Sequence, residues 1–145
     1  MSENEKLGLL NECRSVRAIV EPLNEDVDAN EIGLTTEMLT DMVESRLRAS
    51  RLYTDEIFYD ADDIKRVVPG LYLRVHILNP AFAINVDFVR YLQIVSTGNV
   101  MAGATWDSGT VGTHGQDANY VIEAARKYVD IFILQYLRAN EEYCN

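Results

Sequence analysis

Hydrophobic and polar positions along this chain follow two periods, and the switches between them mark its elements. Residues 15–21 (SVRAIVE) are β-branched and apolar, and Pro22 cannot continue a ladder, so a strand is predicted there. After an acidic loop, Leu39, Met42, Val43 and Leu47 recur at spacings of three and four, which predicts an amphipathic helix over about 35–51. Thr35 is a suitable N-cap, Glu37 complements the first turn, and Asp41, Glu44, Arg48 and Arg51 form the solvated face. A short strand is expected at 56–60, then an acidic turn and Pro69-Gly70. Residues 71–78 alternate cleanly, with Leu71, Leu73, Val75 and Ile77 on one face and Tyr72, Arg74 and His76 on the other. Asn79-Pro80 is a turn signal.

Residues 84–97 read as a longer strand, and Gly98-Asn99 suits a two-residue type II′ hairpin turn. That turn would set Tyr91 opposite Trp106, Val95 opposite Ala102 and Arg90 opposite Asp107. Ile84, Val86 and Phe88 form an apolar even face, with Asn85 and Asp87 outward, whereas Val89, Tyr91, Val95, Ala102, Ala104 and Trp106 form an apolar odd face further on. One β-bulge near residues 88–90 would produce that change of phase and leave Arg90 and Asp107 as a solvent-face pair.

Gly109, Gly112 and Gly115 punctuate an expected loop, after which Asp117 can cap a helix running to about residue 139. Val121, Ala125, Tyr128, Val129, Phe132, Tyr136 and Leu137 supply its apolar stripe, and Ala102 and Ala104 would let it approach the sheet closely. The pattern predicts one α+β domain over 1–145, in which an antiparallel sheet in the order β-α-β-β-β-α carries two helices on one face. Residues 1–13 form an amino-terminal extension.

Composition changes the picture by exclusion. The chain is 48% hydrophobic and 25% charged, the balance of a folded domain, and no stretch approaches the ~18 apolar residues of a membrane span. The net charge of −10 argues against nucleic acid as a partner, because phosphate contacts need clustered Lys and Arg. Residues 1–70 hold 16 acids and 8 bases, whereas residues 71–145 hold 7 and 5. Two runs, Glu21–Glu31 and Asp55–Asp63, account for most of the excess and read as solvated loops.

The chemistry-bearing residues are few. Asp26-x-Asp28-x-Asn30 with Glu37 has the ligand spacing of a calcium loop, but Glu31 stands where the turn glycine belongs. These residues are therefore weak metal candidates, and no cofactor signature is present. Gly109-x-x-Gly112-x-x-Gly115 lacks the Lys of a phosphate cradle. Asp107, Ser108 and His114 have the types of a nucleophilic triad, but one short loop seldom makes three groups converge. No catalytic set is expected. Trp106, Tyr91 and His114 remain candidates for binding a small ligand, and Tyr72, Arg74 and His76 for an interaction surface. Cys13 and Cys144 would fall at the same end of the domain if the last helix runs antiparallel to the first strand, so a disulfide and free thiols are both open. The amino terminus lacks the pattern of a signal peptide, so the chain as written is expected in the cytoplasm, or outside it if Met1 opens a mature domain.

Gly33-Leu34-Thr35 ahead of Arg46-Leu47-Arg48, then Trp106, Gly109 and Gly112, then Phe132-x-x-x-Tyr136-Leu137-x-x-Asn140 resemble a family of small, uncharacterised bacterial α+β proteins that are often secreted. Over residues 14–140 the arrangement is also distantly similar to the amino-terminal domain of the periplasmic Tol translocation propeller, a module used for protein contacts. The resemblance brings no catalytic residue. It implies an envelope or secreted setting and, through that, a Cys13–Cys144 bridge, while the mixed aromatic and polar face of Tyr72, Arg74 and His76 suits a protein partner or another copy. The expected function is thus that of a non-enzymatic interaction or structural domain. A small-ligand or cation-binding module, using the acidic loops or the Trp106 region, is the alternative.

Overall fold

Among the described residues, which are 15–23, 26–56 and 68–141 of a computed structural model, the elements follow the sequence pattern closely. They are β1 (Arg17–Val20), α1 (Val27–Glu31), α2 (Thr36–Ala49), β2 (Gly70–Leu78), β3 (Ala81–Gln93), β4 (Val100–Thr113) and α3 (Ala118–Asn140). Cys13, Cys144, the amino-terminal extension and all but Glu56 of the strand expected at 56–60 lie outside the described residues.

The long helices start where capping chemistry starts them. Thr35 Oγ1 accepts from the Met38 N–H at 3.2 Å, and Asp117 Oδ1 accepts from the Asn119 N–H at 2.9 Å. Both helices pack on one face of a four-stranded sheet in the order β1-β2-β3-β4. Leu39, Val43 and Leu47 of α2 and Val121, Ala125, Val129, Phe132 and Tyr136 of α3 are buried against Leu71, Leu73, Val75, Phe82, Ile84, Val86 and Phe88. The Phe132 ring centroid lies 5.2 Å from Phe88, 5.4 Å from Trp106 and 5.3 Å from Tyr136, so one aromatic cluster joins α3 to both β3 and β4. Leu137, expected in the apolar stripe, is instead exposed.

The α+β class and the order of elements stand as read, but four expectations are corrected. The sheet is mixed, not antiparallel: β1 runs parallel to β2, because α2 carries the chain back to the starting end of the sheet. Residues 27–31 form a helical turn, not a loop, since Asp26 caps it and Gly33, at φ +75°, ends it. The hairpin is longer than two residues. The Ile94 N–H bonds the Asn99 carbonyl at 2.7 Å and the Gly98 N–H bonds the Ile94 carbonyl at 2.7 Å, with Gly98 at φ +73°. Tyr91 consequently faces Ala102, Arg90 faces Gly103, and Val95 sits fully exposed at the tip.

The fourth correction concerns the bulge. It exists at the expected place, between Phe88 and Val89, but the extra residue belongs to β4: Phe88 faces Trp106 and Val89 faces Ala104, so Thr105 is inserted. Strand β3 therefore keeps its phase. Arg90 follows Phe88 onto the helix side, where its guanidinium lies 5.6 Å from the Phe88 ring centroid and burial lowers its pKa. Ala102 and Ala104 are exposed and admit no helix. No Arg90–Asp107 pair forms across the hairpin. Gly109 and Gly112 lie within β4, not in a loop, and a side chain at Gly109 would meet the Ile84 carbonyl oxygen, so its absence permits the close strand approach.

Phe132→Ala should lower stability by about 3–5 kcal/mol, the usual cost of removing a buried aromatic ring. A thermal melt read by the fluorescence of Trp106, the chain's one tryptophan, measures this. A loss below about 1 kcal/mol would show that the cluster does not anchor α3.

Candidate functional site

Because both long helices cover one face of the sheet, the residues that alternate away from them form an outer face on which no described helix packs. Strand β2 contributes Tyr72, Arg74 and His76; β3 contributes Asn85 and Asp87; β4 contributes Asp107. The tight β2–β3 turn pairs Leu78 with Ala81 and so brings Arg74 opposite Asn85, one diagonal step from Asp87. An Arg74 Nη atom donates to Asn85 Oδ1 at 3.1 Å and to Asp87 Oδ2 at 2.8 Å, and the guanidinium lies 5.8 Å from the Tyr72 ring centroid. At the β1 end, His76 Nε2 is 3.9 Å from a Glu21 carboxylate oxygen.

The electrostatics of this face are under tension. Asp87, whose side chain is 13% exposed, stands directly opposite Asp107. Burial raises the Asp87 pKa above the ordinary carboxylate value, Arg74 opposes that rise, and the Asp107 charge adds to it. Arg74 Nε and Glu21 Oε2 are buried and have no hydrogen-bond partner among the described residues. Over Gly109 the face dips into an open depression of about 620 Å³, lined by His76, Ala83, Asn85, Asp107 and Val111 among others.

The three residues expected to form an interaction surface, Tyr72, Arg74 and His76, are thus brought together. The three ligand candidates are not. Trp106 points to the helix side, where its Nε1–H donates to Gln135 Oε1 at 2.8 Å. Tyr91 alternates onto the outer face. His114, at the far end of β4, is buried and not loop-exposed: its Nδ1 accepts from the Gln116 N–H at 3.0 Å and its Nε2 meets Asn79 Oδ1. This pattern places the ring proton on Nε2. It also separates His114 from Asp107 and from Ser108, which alternates to the opposite face, so the triad types do not converge.

The calcium-like spacing is likewise taken up structurally. Asp26 Oδ1 caps α1 by accepting from the Ala29 N–H at 3.0 Å, and Asp28 Oδ2 accepts from the Asn79 N–H at 3.2 Å. Asn30 lies inside α1. Among the described residues no group of three His, Cys, Asp or Glu side chains could hold a metal ion. Glu21 and the Asn85–Asp87 pair join the face without having been singled out as site residues. The signal was present, since the alternation already put Asn85 and Asp87 outward, and a two-residue turn at Asn79-Pro80 fixes their distance from Arg74.

No protein-family model matches this chain, and no curated protein matches its sequence.

Asp107→Asn should raise the melting midpoint at pH 7 by about 1–3 °C, by removing a like-charge cross-strand pair worth ~0.2–1 kcal/mol. The sign follows from Asp87. A carboxylate with a raised folded pKa contributes stability that is present at low pH and lost as pH rises through that pKa. At about pH 3, below the ordinary Asp value, Asp87 is protonated, the repulsion is gone, and the variant should gain nothing. An equal gain at both pH values would refute the assignment.

Proposed function

We propose that this chain is a non-enzymatic protein-interaction domain whose docking surface is the outer face of the sheet, centred on Tyr72, Arg74 and His76. The observation that carries this reading is the face itself, on which no described helix packs and where an aromatic ring, a guanidinium and polar side chains cluster at one level of the sheet. Arg and Tyr are enriched at protein interfaces because each offers a large contact area and fixed donors. The surplus of acid favours a partner with a basic contact surface. An envelope setting is consistent with the resemblance in the chain's motifs. Among the described residues no helix is long and apolar enough to cross a membrane.

The alternative is a small-ligand or cation module. Of its supports, the acidic run at residues 26–30 and Trp106 are taken up by capping, turn-holding and core packing, while Asp60, Asp62 and Asp63 of the second acidic run lie outside the described residues. The depression over Gly109 is the feature that favours it now, because His76, Asn85 and Asp107 converge on it.

Immobilised wild type and the triple variant Tyr72→Ala/Arg74→Ala/His76→Ala separate these readings when exposed to an extract of the producing cells. A protein held by wild type in low salt and released by the variant, with the variant still melting cooperatively as a folded domain, is the expected result. Equal retention by both would move the docking surface elsewhere. A saturable rise in melting midpoint with calcium or one metabolite, with nothing retained, would transfer the function to the ligand module.

A further inference from the structure

The two edges of the sheet are finished differently. On the β1 side, residues 52–54 lie alongside: the Val16 N–H donates to the Leu52 carbonyl at 2.6 Å and the Thr54 N–H to the Val16 carbonyl at 3.1 Å. On the other side β4, 14 residues long, pairs along one flank with β3 and is the last strand of the sheet among the described residues. Long edges expose a row of backbone donors and acceptors, which proteins usually blunt with Lys, Pro, bulges or inward charges. Strand β4 has no Lys or Pro, and its bulge at Thr105 disturbs the hairpin half alone. Residues 106–113 pair regularly with 81–88 and carry one charge, Asp107.

We propose that this edge binds a second copy of the chain, β4 against β4 in antiparallel register about a two-fold axis at Thr110, to give one continuous eight-stranded sheet. Among axes at Asp107, Gly109 and Thr110, the side chains favour the last. A two-fold axis pairs residues whose numbers sum to an even value, so that the outward-pointing backbone groups of the two strands meet. Centring on Asp107 would oppose two carboxylates. An axis at Gly109 would set Asp107 against Val111 and leave two notches face to face. With the axis at Thr110, Val111, 78% exposed, stands opposite Gly109 of the second copy and projects beside the depression there, and the contact occurs twice by symmetry. Thr110 meets its own copy, a favourable cross-strand pair, and Asp107 meets the Thr113 hydroxyl. The two Asp107 carboxylates then lie about 20 Å apart along the strands, roughly two Debye lengths at physiological salt, so the like net charge of the protomers is not concentrated at the seam.

This assembly does not depend on the docking reading of the outer face, and its test distinguishes the two. Light scattering should give about twice the 16.4 kDa protomer mass, and Val111→Lys should weaken association at least about tenfold while its melt stays that of a folded domain. In a background with Cys13→Ser and Cys144→Ser, Thr110→Cys should oxidise to a covalent dimer, whereas Asp107→Cys should not. The Tyr72→Ala/Arg74→Ala/His76→Ala variant should remain dimeric. A monomeric wild type, a dimer that Val111→Lys leaves intact, or a Thr110→Cys chain that stays monomeric on oxidation each overturns the proposal. Dissociation by the outer-face variant in place of Val111→Lys would assign self-association to that face.

Discussion

The contact between Phe132 and the rings of Phe88, Trp106 and Tyr136 is the one on which the remaining architecture depends. It draws side chains from β3, β4 and α3, so it fixes the helix over the hairpin and settles which face of the sheet is core. Helix α2 covers the β1 side with Leu39, Val43 and Leu47, and the Arg46–Asp130 contact at 2.7 Å ties the two helices together. That ion pair is about one-third exposed and contributes little beside the buried rings. Once both helices share a face, every side chain of opposite phase is committed to the other one. The polar outer face is therefore a consequence of how the core is built.

The bulge at Thr105 belongs to the same constraint. Strand β3 holds a single phase from Phe82 to Arg90, whereas β4 must present Trp106, Ser108 and Thr110 on the helix side next to Gly103 and Met101. Inserting one residue reconciles the two halves, since it shifts the facing of all that precedes it. It also divides β4 in function. Toward the hairpin the strand is irregular and its tip solvated, while residues 106–113 remain a straight run pairing with 81–88.

What could be read from the sequence follows the range of the interactions. Helix ends set by Thr35 and Asp117 are local chemistry and were legible, as was the alternation of residues 71–78. The β2–β3 register was not read, since the apolar pattern starts the next strand at residue 84, yet the strand begins at Ala81 and the tight turn before it determines every later pair, the Arg74–Asn85–Asp87 cluster included. Nor was the β3–β4 register legible. Gly98-Asn99 satisfies the two-residue template, yet Gly98 serves its left-handed conformation in a longer loop closed by Ile94 and Asn99, and nothing local distinguishes the two. Gly109 and Gly112 likewise resemble loop punctuation. The reason for Gly109 is the nearness of the Ile84 carbonyl 25 positions earlier in the chain, a long-range fact. His114 has the same character: its burial depends on Asn79, which is itself held by Asp28 and by Glu31 Oε2 at 2.6 Å.

Asp107 links the chemistry of the outer face to that of the edge. Its carboxylate opposes Asp87, adds to the rise in that residue's pKa, and so works against the Arg74 pairing that organises the face. It is also the one formal charge on the whole of β4. Relieving the tension by removing that charge would stabilise the isolated domain but would leave the edge strand with no charge at all, which is the composition that favours indiscriminate strand pairing. The residue is thus held between two demands: stability of the hairpin argues against a carboxylate there, and restraint of the edge argues for one. A single acid at one end of residues 106–113 satisfies the second demand while still allowing a register in which the two copies of it stand far apart.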